Sequence, residues 1–185
     1  MINKFIIKEI IDTWLEDIQK KKIIVRKEMD FLEKYLSYKQ AIAISGVRRS
    51  GKTYLMFQLC QKLSKKLPNN VCYINFEDER FSDEVEQLDL IYKTFWEYKN
   101  PKGKVYFFLD EIQNIKNWEK WLARMYEKNI KFFISGSNAS LLSRDFGKSL
   151  TGRIQPEPDM SIRKTRIVIF KNKDLLTKSF YSVEN

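Results

Sequence analysis

"GVRRSGKTYL", residues 46–55, is the stretch on which the interpretation of the whole chain depends. Gly46 and Gly51 enclose four residues, and Lys52 and Thr53 follow directly. The preceding run "QAIAIS" predicts a buried strand, and leucines at four-residue spacing predict an amphipathic helix over 52–67. A glycine-rich turn between a strand and a helix directs backbone N–H groups at one centre, and the helix N-terminus adds partial positive charge. The stretch therefore predicts a loop that binds a phosphate chain.

This spacing is the P-loop, or Walker A, pattern. In such a loop Lys52 would reach the β- and γ-phosphates of a nucleotide, and the Thr53 hydroxyl would contribute to a Mg²⁺ site. We expect the Lys52 side chain to face solvent when no nucleotide is bound. An ordinary strand-to-helix turn is the alternative for the loop, and surface exposure is the alternative for its two arginines. The residues predicted to contact ATP are Gly46, Val47, Arg48, Arg49, Ser50, Gly51, Lys52, Thr53 and Tyr54.

Strand and helix patterns alternate along the rest of the central region. Apolar runs predict strands at 71–76, 104–110 and 130–135, and helical periodicity predicts helices at 83–99 and around 118–125. Asp83 with Glu86 predicts a capping box at the start of the first of these helices. This order predicts an α/β fold of the P-loop NTPase type. Its three layers (α/β/α) are a central, mostly parallel sheet and the helices on its two faces.

These patterns divide the chain into three regions. Residues 1–36 predict an N-terminal segment of two helices, separated around residues 20–26. Residues 37–160 form the predicted P-loop ATPase core. Residues 161–185 form an atypical tail in which "RIVIF" (166–170) is a candidate last strand.

Two adjacent acidic residues mark the end of the apolar run "KVYFFLD": Asp110 is its last residue, and Glu111 is the next. A carboxylate at the end of a buried strand is costly unless a cation or its bound water satisfies it, so Asp110 is the predicted Mg²⁺ ligand. Glu111 is predicted to orient or deprotonate an attacking water, as in the Walker B pattern. An acidic strand end on the surface is the alternative for both.

Polar residues farther along are candidates for contact with the γ-phosphate. In "SGSNAS" after the fourth strand, Asn138 is the first choice and Ser137 the second, with a helix-capping turn as the alternative. An arginine is expected near the charge that develops on the γ-phosphoryl group, and Arg144 and Arg153 are the candidates. Each has an alternative interpretation as a surface arginine, and either could act on a neighbouring subunit.

Composition excludes several classes of chemistry. The chain has 185 residues and no histidine, which excludes Ser-His-Asp and histidine–zinc sites. The net charge of +10 favours polyanionic partners, with surface decoration as the alternative. Cys60 and Cys72 are interpreted as reduced core residues, and no run is apolar enough for a signal peptide or a membrane helix. A cytoplasmic protein is predicted.

Four segments together resemble archaeal and bacterial ATPases of the AAA superfamily, whose core is usually followed by a nuclease-like or winged-helix part. They are "GVRRSGKTYL", "INFEDERF", "FFLDEIQNIKNWEKWLARMYE" and "FFISGSNASLLSRDFGKSLTGR", and the resemblance covers about residues 24–153. It implies a five-stranded core, Mg²⁺-dependent ATP hydrolysis with the roles given above, and a role for Arg153. Asp78 and Arg80, in the second segment, are expected only to shape the loop after the second strand. After "TGR" the chain departs from the usual pattern, so a truncated member is predicted.

Three functions are compatible with these observations. The leading one is an ATPase that couples its nucleotide state to a partner; DNA or another nucleic acid, a further copy of the chain and a different protein are the candidates. The second is a nucleotide-binding module without turnover, because its C-terminal part is missing. A small-molecule kinase is the least favoured, since the adjacent acids Asp110 and Glu111 suit water activation better than transfer to an alcohol.

Overall fold

A mixed sheet with helices on both faces organises the computed structural model, which describes residues 2–24, 28–37, 41–46, 49–125, 127–136, 164–170 and 175–181. Within these ranges the strands are β1 (Ile42–Gly46), β2 (Val71–Asn75), β3 (Val105–Asp110), β4 (Ile130–Gly136), β5 (Lys164–Phe170) and β6 (Leu175–Tyr181). The α-helices are α1 (Lys4–Lys20), α2 (Glu28–Lys34), α3 (Lys52–Lys66), α4 (Glu86–Lys99) and α5 (Trp118–Met125).

The described strands form one sheet in the order β2-β3-β4-β1-β5-β6. The first four in this order pair in parallel, and β5 and β6 are antiparallel to their neighbours. The predicted α/β architecture with a mostly parallel sheet is confirmed. The candidate strand at 166–170 lies within β5 and runs antiparallel to β1. Strand β6 was not predicted, because its residues mix apolar and polar side chains without clear alternation.

Side-chain alternation along the strands builds a separate core on each face of the sheet. On one face, Phe107, Leu109 and Ile134 pack with the buried side chains of α4 and α5. On the other face, Phe108 and Phe133 pack with the buried side chains of α3. The second face also carries α3, which begins directly after the predicted phosphate loop.

Helix α1 covers the edge of the sheet beside β2. Its buried residues Ile7, Ile10 and Ile11 join the first core, and Ile18 joins the second. Covering an edge strand in this way prevents unwanted strand pairing. The prediction of two N-terminal helices is confirmed, since α1 ends at Lys20 and α2 begins at Glu28. Among the described residues, no helix combines the length and the apolar character needed to cross a membrane.

The predicted capping box at Asp83 is wrong. Helix α4 begins at Glu86, and Val85 occupies the N-cap without a side-chain hydrogen bond. Asp83 instead contacts Lys116, whose backbone N–H donates to the Asp83 carbonyl at 2.7 Å and whose ammonium lies 2.6 Å from the carboxylate. Asp83 therefore makes a tertiary contact with Lys116 in place of the helix-capping contact that local propensity predicts.

Both cysteines are buried and free, as predicted. Burial raises the pKa of the Cys60 thiol and of the Cys72 thiol well above the usual value. Neither sulfur is therefore an activated nucleophile.

Lys131, in β4, is a fully buried lysine. Its Nζ atom lies 5.8 Å from the centre of the Phe133 ring. Burial, with a smaller contribution from the charge of Lys104, lowers the pKa of the Lys131 ammonium from 10.5 to about 7. Between those two pH values the unfolded chain binds one more proton than the folded chain, so this group makes stability rise with pH.

Replacing this lysine should therefore change how stability depends on pH. We expect Lys131→Met to be more stable than the wild type below pH 7, and the advantage should shrink above pH 7 by about 1.4 kcal/mol per pH unit. Urea unfolding at three pH values between 6 and 8.5 measures this difference. Lys128→Met, at an exposed position in the preceding turn, is the control and should show a difference that does not vary with pH. A pH-independent difference for Lys131→Met would contradict the prediction.

Candidate nucleotide-binding site

The phosphate loop joins the end of β1 at Gly46 to the start of α3 at Lys52. Arg49 and Gly51 both have left-handed backbones, with φ of 68° and 85°. Left-handed residues in such a turn let successive N–H groups converge on an anion. Glycine adopts this conformation without strain, whereas an arginine does so at a cost. The loop geometry is thus the kind that suits a bound phosphate.

Lys52 is buried, contrary to the expectation that it faces solvent. The residue is only 6% exposed, and Nζ donates a hydrogen bond to the Gly46 carbonyl at 3.1 Å. The reason is that a carbonyl at the end of a buried strand needs a donor, and the ammonium is within reach. The contact holds the ammonium beside Gly46, the last residue of β1.

Asp110 is completely buried at the end of β3 and bonded by two hydroxyl groups. The Tyr73 hydroxyl donates to Oδ2 at 2.6 Å, and the Ser135 hydroxyl donates to Oδ1. The sequence predicted that a cation or its bound water would satisfy this carboxylate. Two protein hydroxyl groups also do so. Each carboxylate oxygen still has acceptor capacity after one hydrogen bond. Desolvation, and then the neighbouring Asp110 charge, raise the pKa of the Tyr73 phenol.

Glu111 has a left-handed backbone, with φ of 52° and ψ of 44°. Two contacts hold it: its N–H donates to Ser135 Oγ at 3.2 Å, and its carboxylate accepts from Gln113 Nε2 at 2.6 Å. A non-glycine residue with this backbone costs about 1–2 kcal/mol. Such strain is concentrated at functional positions, where surrounding contacts enforce it.

Strand register brings the phosphate loop and the two acids to the same edge of the sheet. Ser45 of β1 lies beside Gly136 of β4, and Leu109 of β3 lies beside Ile134 of β4. Gly46 and Asp110 are therefore separated by two strand spacings and about two residues, roughly 12 Å between their backbones.

Lys52 and Asp110 also lie on one face of the sheet. Asp110 follows Phe108 by two residues, so it lies on the face that packs against α3. The Lys52 ammonium, at the N-terminal end of α3, is held at this same edge. The Lys52 cation and the Asp110 carboxylate, from separate parts of the chain, therefore lie at one edge and on one face of the sheet.

Comparison with known proteins identifies the family of this chain. Residues 38–164 match the sequence pattern of an AAA domain. This chain belongs to the AAA domain family. The chain is 35% identical over 170 residues to an uncharacterized protein of Methanocaldococcus jannaschii, covering 91% of this chain and 36% of the relative. It is 33% identical over 134 residues to an uncharacterized protein of Haemophilus influenzae, covering 71% of this chain and 31% of the relative. The chain thus spans about a third of the length of these curated relatives.

Several predicted site residues of the AAA domain lie outside the described part of the chain. They are Val47, Arg48, Ser137, Asn138, Arg144 and Arg153. Among the described members of the loop, Ser50 is buried and Thr53 half-buried, whereas Arg49 and Tyr54 are exposed. The Tyr54 ring packs against the ring of Phe57 in the same helix, with their centres 5.7 Å apart.

Asp78 and Arg80 shape the loop after β2, as expected from the sequence. The Asp78 carboxylate accepts from the backbone N–H of Arg80 at 3.0 Å and pairs with its guanidinium at 2.7 Å. The guanidinium of Arg80 lowers the pKa of the Asp78 carboxyl. We find no further role for this pair.

Three residues that contact the predicted acids were not predicted from the sequence: Tyr73, Gln113 and Ser135. Ser135 begins the polar group "SGSNAS", so its place at a strand end was a usable signal. Tyr73 gave no signal, because its hydroxyl is hidden within the apolar run "VCYINF". Only the register of β2 against β3 brings that hydroxyl to Asp110.

Proposed function

We propose that this AAA domain binds ATP with Mg²⁺ and hydrolyses it to ADP and phosphate. Membership of the AAA family supports nucleotide binding. The single observation that carries the proposal is the position of Lys52 and Asp110 at one edge and on one face of the sheet. Phosphate-binding and metal-binding groups must meet in that way for phosphoryl chemistry.

The residues available for a metal fit Mg²⁺ shared with a nucleotide. Asp110 and the Thr53 hydroxyl offer oxygen ligands, which Mg²⁺ prefers. In the described part of the chain no group of three or more acidic, histidine or cysteine residues could hold a metal ion alone. Mg²⁺ is commonly held by one or two carboxylates together with substrate phosphates, and a sparse protein site is consistent with that. The ion would supply positive charge to the phosphate oxygens.

In the proposed reaction Glu111 accepts a proton from the attacking water. The water oxygen forms a bond to the γ-phosphorus, and the bond from that phosphorus to the bridging oxygen breaks, releasing ADP. Lys52 exchanges the Gly46 carbonyl for phosphate oxygens and offsets their charge. The hydrogen bonds from Gln113 and to Ser135 restrict Glu111 to one region beside Asp110.

Two residues complete the proposal from the sequence. Asn138 would contact the γ-phosphate or the attacking water. Arg153 would stabilise the charge that develops on the γ-phosphoryl oxygens, within its own subunit or on a neighbouring copy.

Release of phosphate from ATP by the purified protein tests the proposal. We expect release with Mg²⁺ and none above background when EDTA replaces it. Nucleotide binding without Mg²⁺-dependent release would leave the second function, a binding module without turnover. Faster transfer of the γ-phosphate to an added metabolite than to water would instead indicate a kinase.

We further propose a nucleic acid as the partner whose binding is coupled to ATP. The supporting observation is a lysine cluster (Lys20, Lys22, Lys62, Lys65 and Lys66) of exposed residues at the C-terminal ends of α1 and α3. Gln61 joins these two ends, because its Nε2 donates to the Ile18 carbonyl at 2.9 Å and to the Lys21 carbonyl at 3.1 Å. Glu16 and Glu33 pair with two of the lysines, so excess positive charge remains. Helix α3 begins at the phosphate loop, about 15 Å from Lys62 and about 21 Å from Lys66 along the helix axis.

A salt series with double-stranded DNA tests this partner. We expect measurable affinity at low salt that falls steeply as salt rises. A variant with Lys22, Lys65 and Lys66 changed to glutamate should flatten the logarithmic salt slope by about 2 to 3, since each phosphate contact contributes about 0.9. The matched control changes the exposed lysines 93, 102 and 120, which lie on or near α4 and α5, to glutamate. If both variants lose the same amount of DNA affinity, the binding depends on net charge and not on the lysine cluster.

A further inference from the structure

The Tyr73 hydroxyl is a buried polar group for which the proposed reaction gives no role. Tyr73 is fully buried in β2, and its hydroxyl donates to Asp110 Oδ2 at 2.6 Å. A tyrosine in a core needs some partner for its hydroxyl, but this one has the carboxylate proposed as a metal ligand. The choice of partner is what calls for an explanation.

Aromatic neighbours fix the Tyr73 ring from three elements. The ring centres of Trp14 in α1, Phe57 in α3 and Phe108 in β3 lie 5.1, 5.2 and 6.4 Å from that of Tyr73. Tyr73 pairs with Phe108 in the register of the sheet, and Asp110 is two residues farther along β3. A ring held in this way leaves its hydroxyl little freedom except beside Asp110.

Ser135 holds the other oxygen of the same carboxylate. Its hydroxyl donates to Asp110 Oδ1 and also accepts the backbone N–H of Glu111 at 3.2 Å. The donors come from β2 and β4, the two strands that flank β3. Two donors on opposite oxygens restrict rotation of the carboxylate, and each oxygen still has acceptor capacity.

We propose that Tyr73, together with Ser135, is a positioning residue that holds the Asp110 carboxylate in the orientation it uses toward Mg²⁺ of Mg·ATP. This inference rests on the proposed function, in which Asp110 serves the metal. Neither hydroxyl is itself a metal ligand. Partners that orient a metal-binding carboxylate commonly contribute about 10- to 100-fold to metal affinity.

Substitution of the hydroxyl, with affinity as the readout, tests the proposal. The affinity for a fluorescent ATP analogue is measured in EDTA and across a Mg²⁺ series. In EDTA, we expect Tyr73→Phe to bind the analogue with the affinity of the wild type. In the Mg²⁺ series, the variant should need about 10- to 100-fold more Mg²⁺ than the wild type to reach half of the increase in affinity that Mg²⁺ produces. Tyr106→Phe makes the same change at a buried position in β3 and is the matched control, expected to behave as the wild type.

A purely structural role for the hydroxyl gives a different result. Equal affinity losses with and without Mg²⁺, or a wild-type Mg²⁺ requirement, would overturn the inference. Ser135→Ala serves as a second variant if Tyr73→Phe does not fold, and a wild-type Mg²⁺ requirement there would also overturn it. If the wild type itself shows no Mg²⁺-dependent gain, the proposed function fails, which is a distinct outcome.

Discussion

Glu111→Gln is expected to lower the rate of phosphate release from Mg·ATP by about 100-fold or more, because general bases contribute about 10²- to 10⁴-fold. Glutamine has nearly the shape of glutamate but cannot accept the proton of the attacking water. Its amide oxygen can still accept the hydrogen bond from Gln113, and the backbone bond to Ser135 is unaffected. Affinity for Mg·ATP should therefore remain within about twofold, since uniform binding is preserved.

The measurement is single-turnover hydrolysis alongside equilibrium nucleotide binding. Glu79→Gln, at an exposed position in the loop after β2, is the matched control and should retain wild-type turnover. A Glu111→Gln variant with undiminished phosphate release would refute the proposed role of this residue. The remaining assignments at the site would then have to be tested separately.

Lys52→Ala is expected to weaken Mg·ATP binding by about 100-fold or more, equivalent to about 3 kcal/mol. The variant removes the cation that would offset the β- and γ-phosphate charge. Isothermal titration with Mg·ATP measures the loss. Lys65→Ala, at an exposed position near the end of the same helix, is the control and should leave the affinity unchanged.

The effect of Lys52→Ala on stability needs a separate measurement, because this lysine is buried. Its removal takes away the donor of the Gly46 carbonyl, which destabilises the fold, and also removes a buried charge, which stabilises it. These contributions oppose each other, so we expect the unfolding free energy to change by about 1 kcal/mol. A folded variant that still binds Mg·ATP as the wild type does would refute the proposed role of Lys52.

Most of the helices and strands could be predicted because their signals are local. Three leucines of α3 recur at four-residue spacing, which is a helical period, and β1 to β4 are short apolar runs bounded by polar or turn residues. The start of α4 could not be predicted in this way. Its expected capping residue, Asp83, contacts Lys116 instead, and nothing in the local sequence indicates that contact.

The candidate site likewise has some features that the sequence predicts and others that it does not. The residues of the phosphate loop and the pair Asp110 and Glu111 could be predicted from spacing along the chain and from the abrupt end of an apolar run. The burial of Lys52 could not, since it depends on the distance from its ammonium to the Gly46 carbonyl. The strained backbone at Glu111 also has no sequence signature, because the contacts of Ser135 and Gln113 enforce it.

The sequence by itself determined the α/β class, the phosphate loop between β1 and α3, and the acids at the end of β3. These features depend on residues close together in the chain, whose spacing can be read directly. Only the tertiary structure decided that Tyr73 and Ser135 bind the two oxygens of Asp110. Those contacts join three strands separated by long stretches of chain, and strand order and register, which depend on packing of the whole core, bring them together.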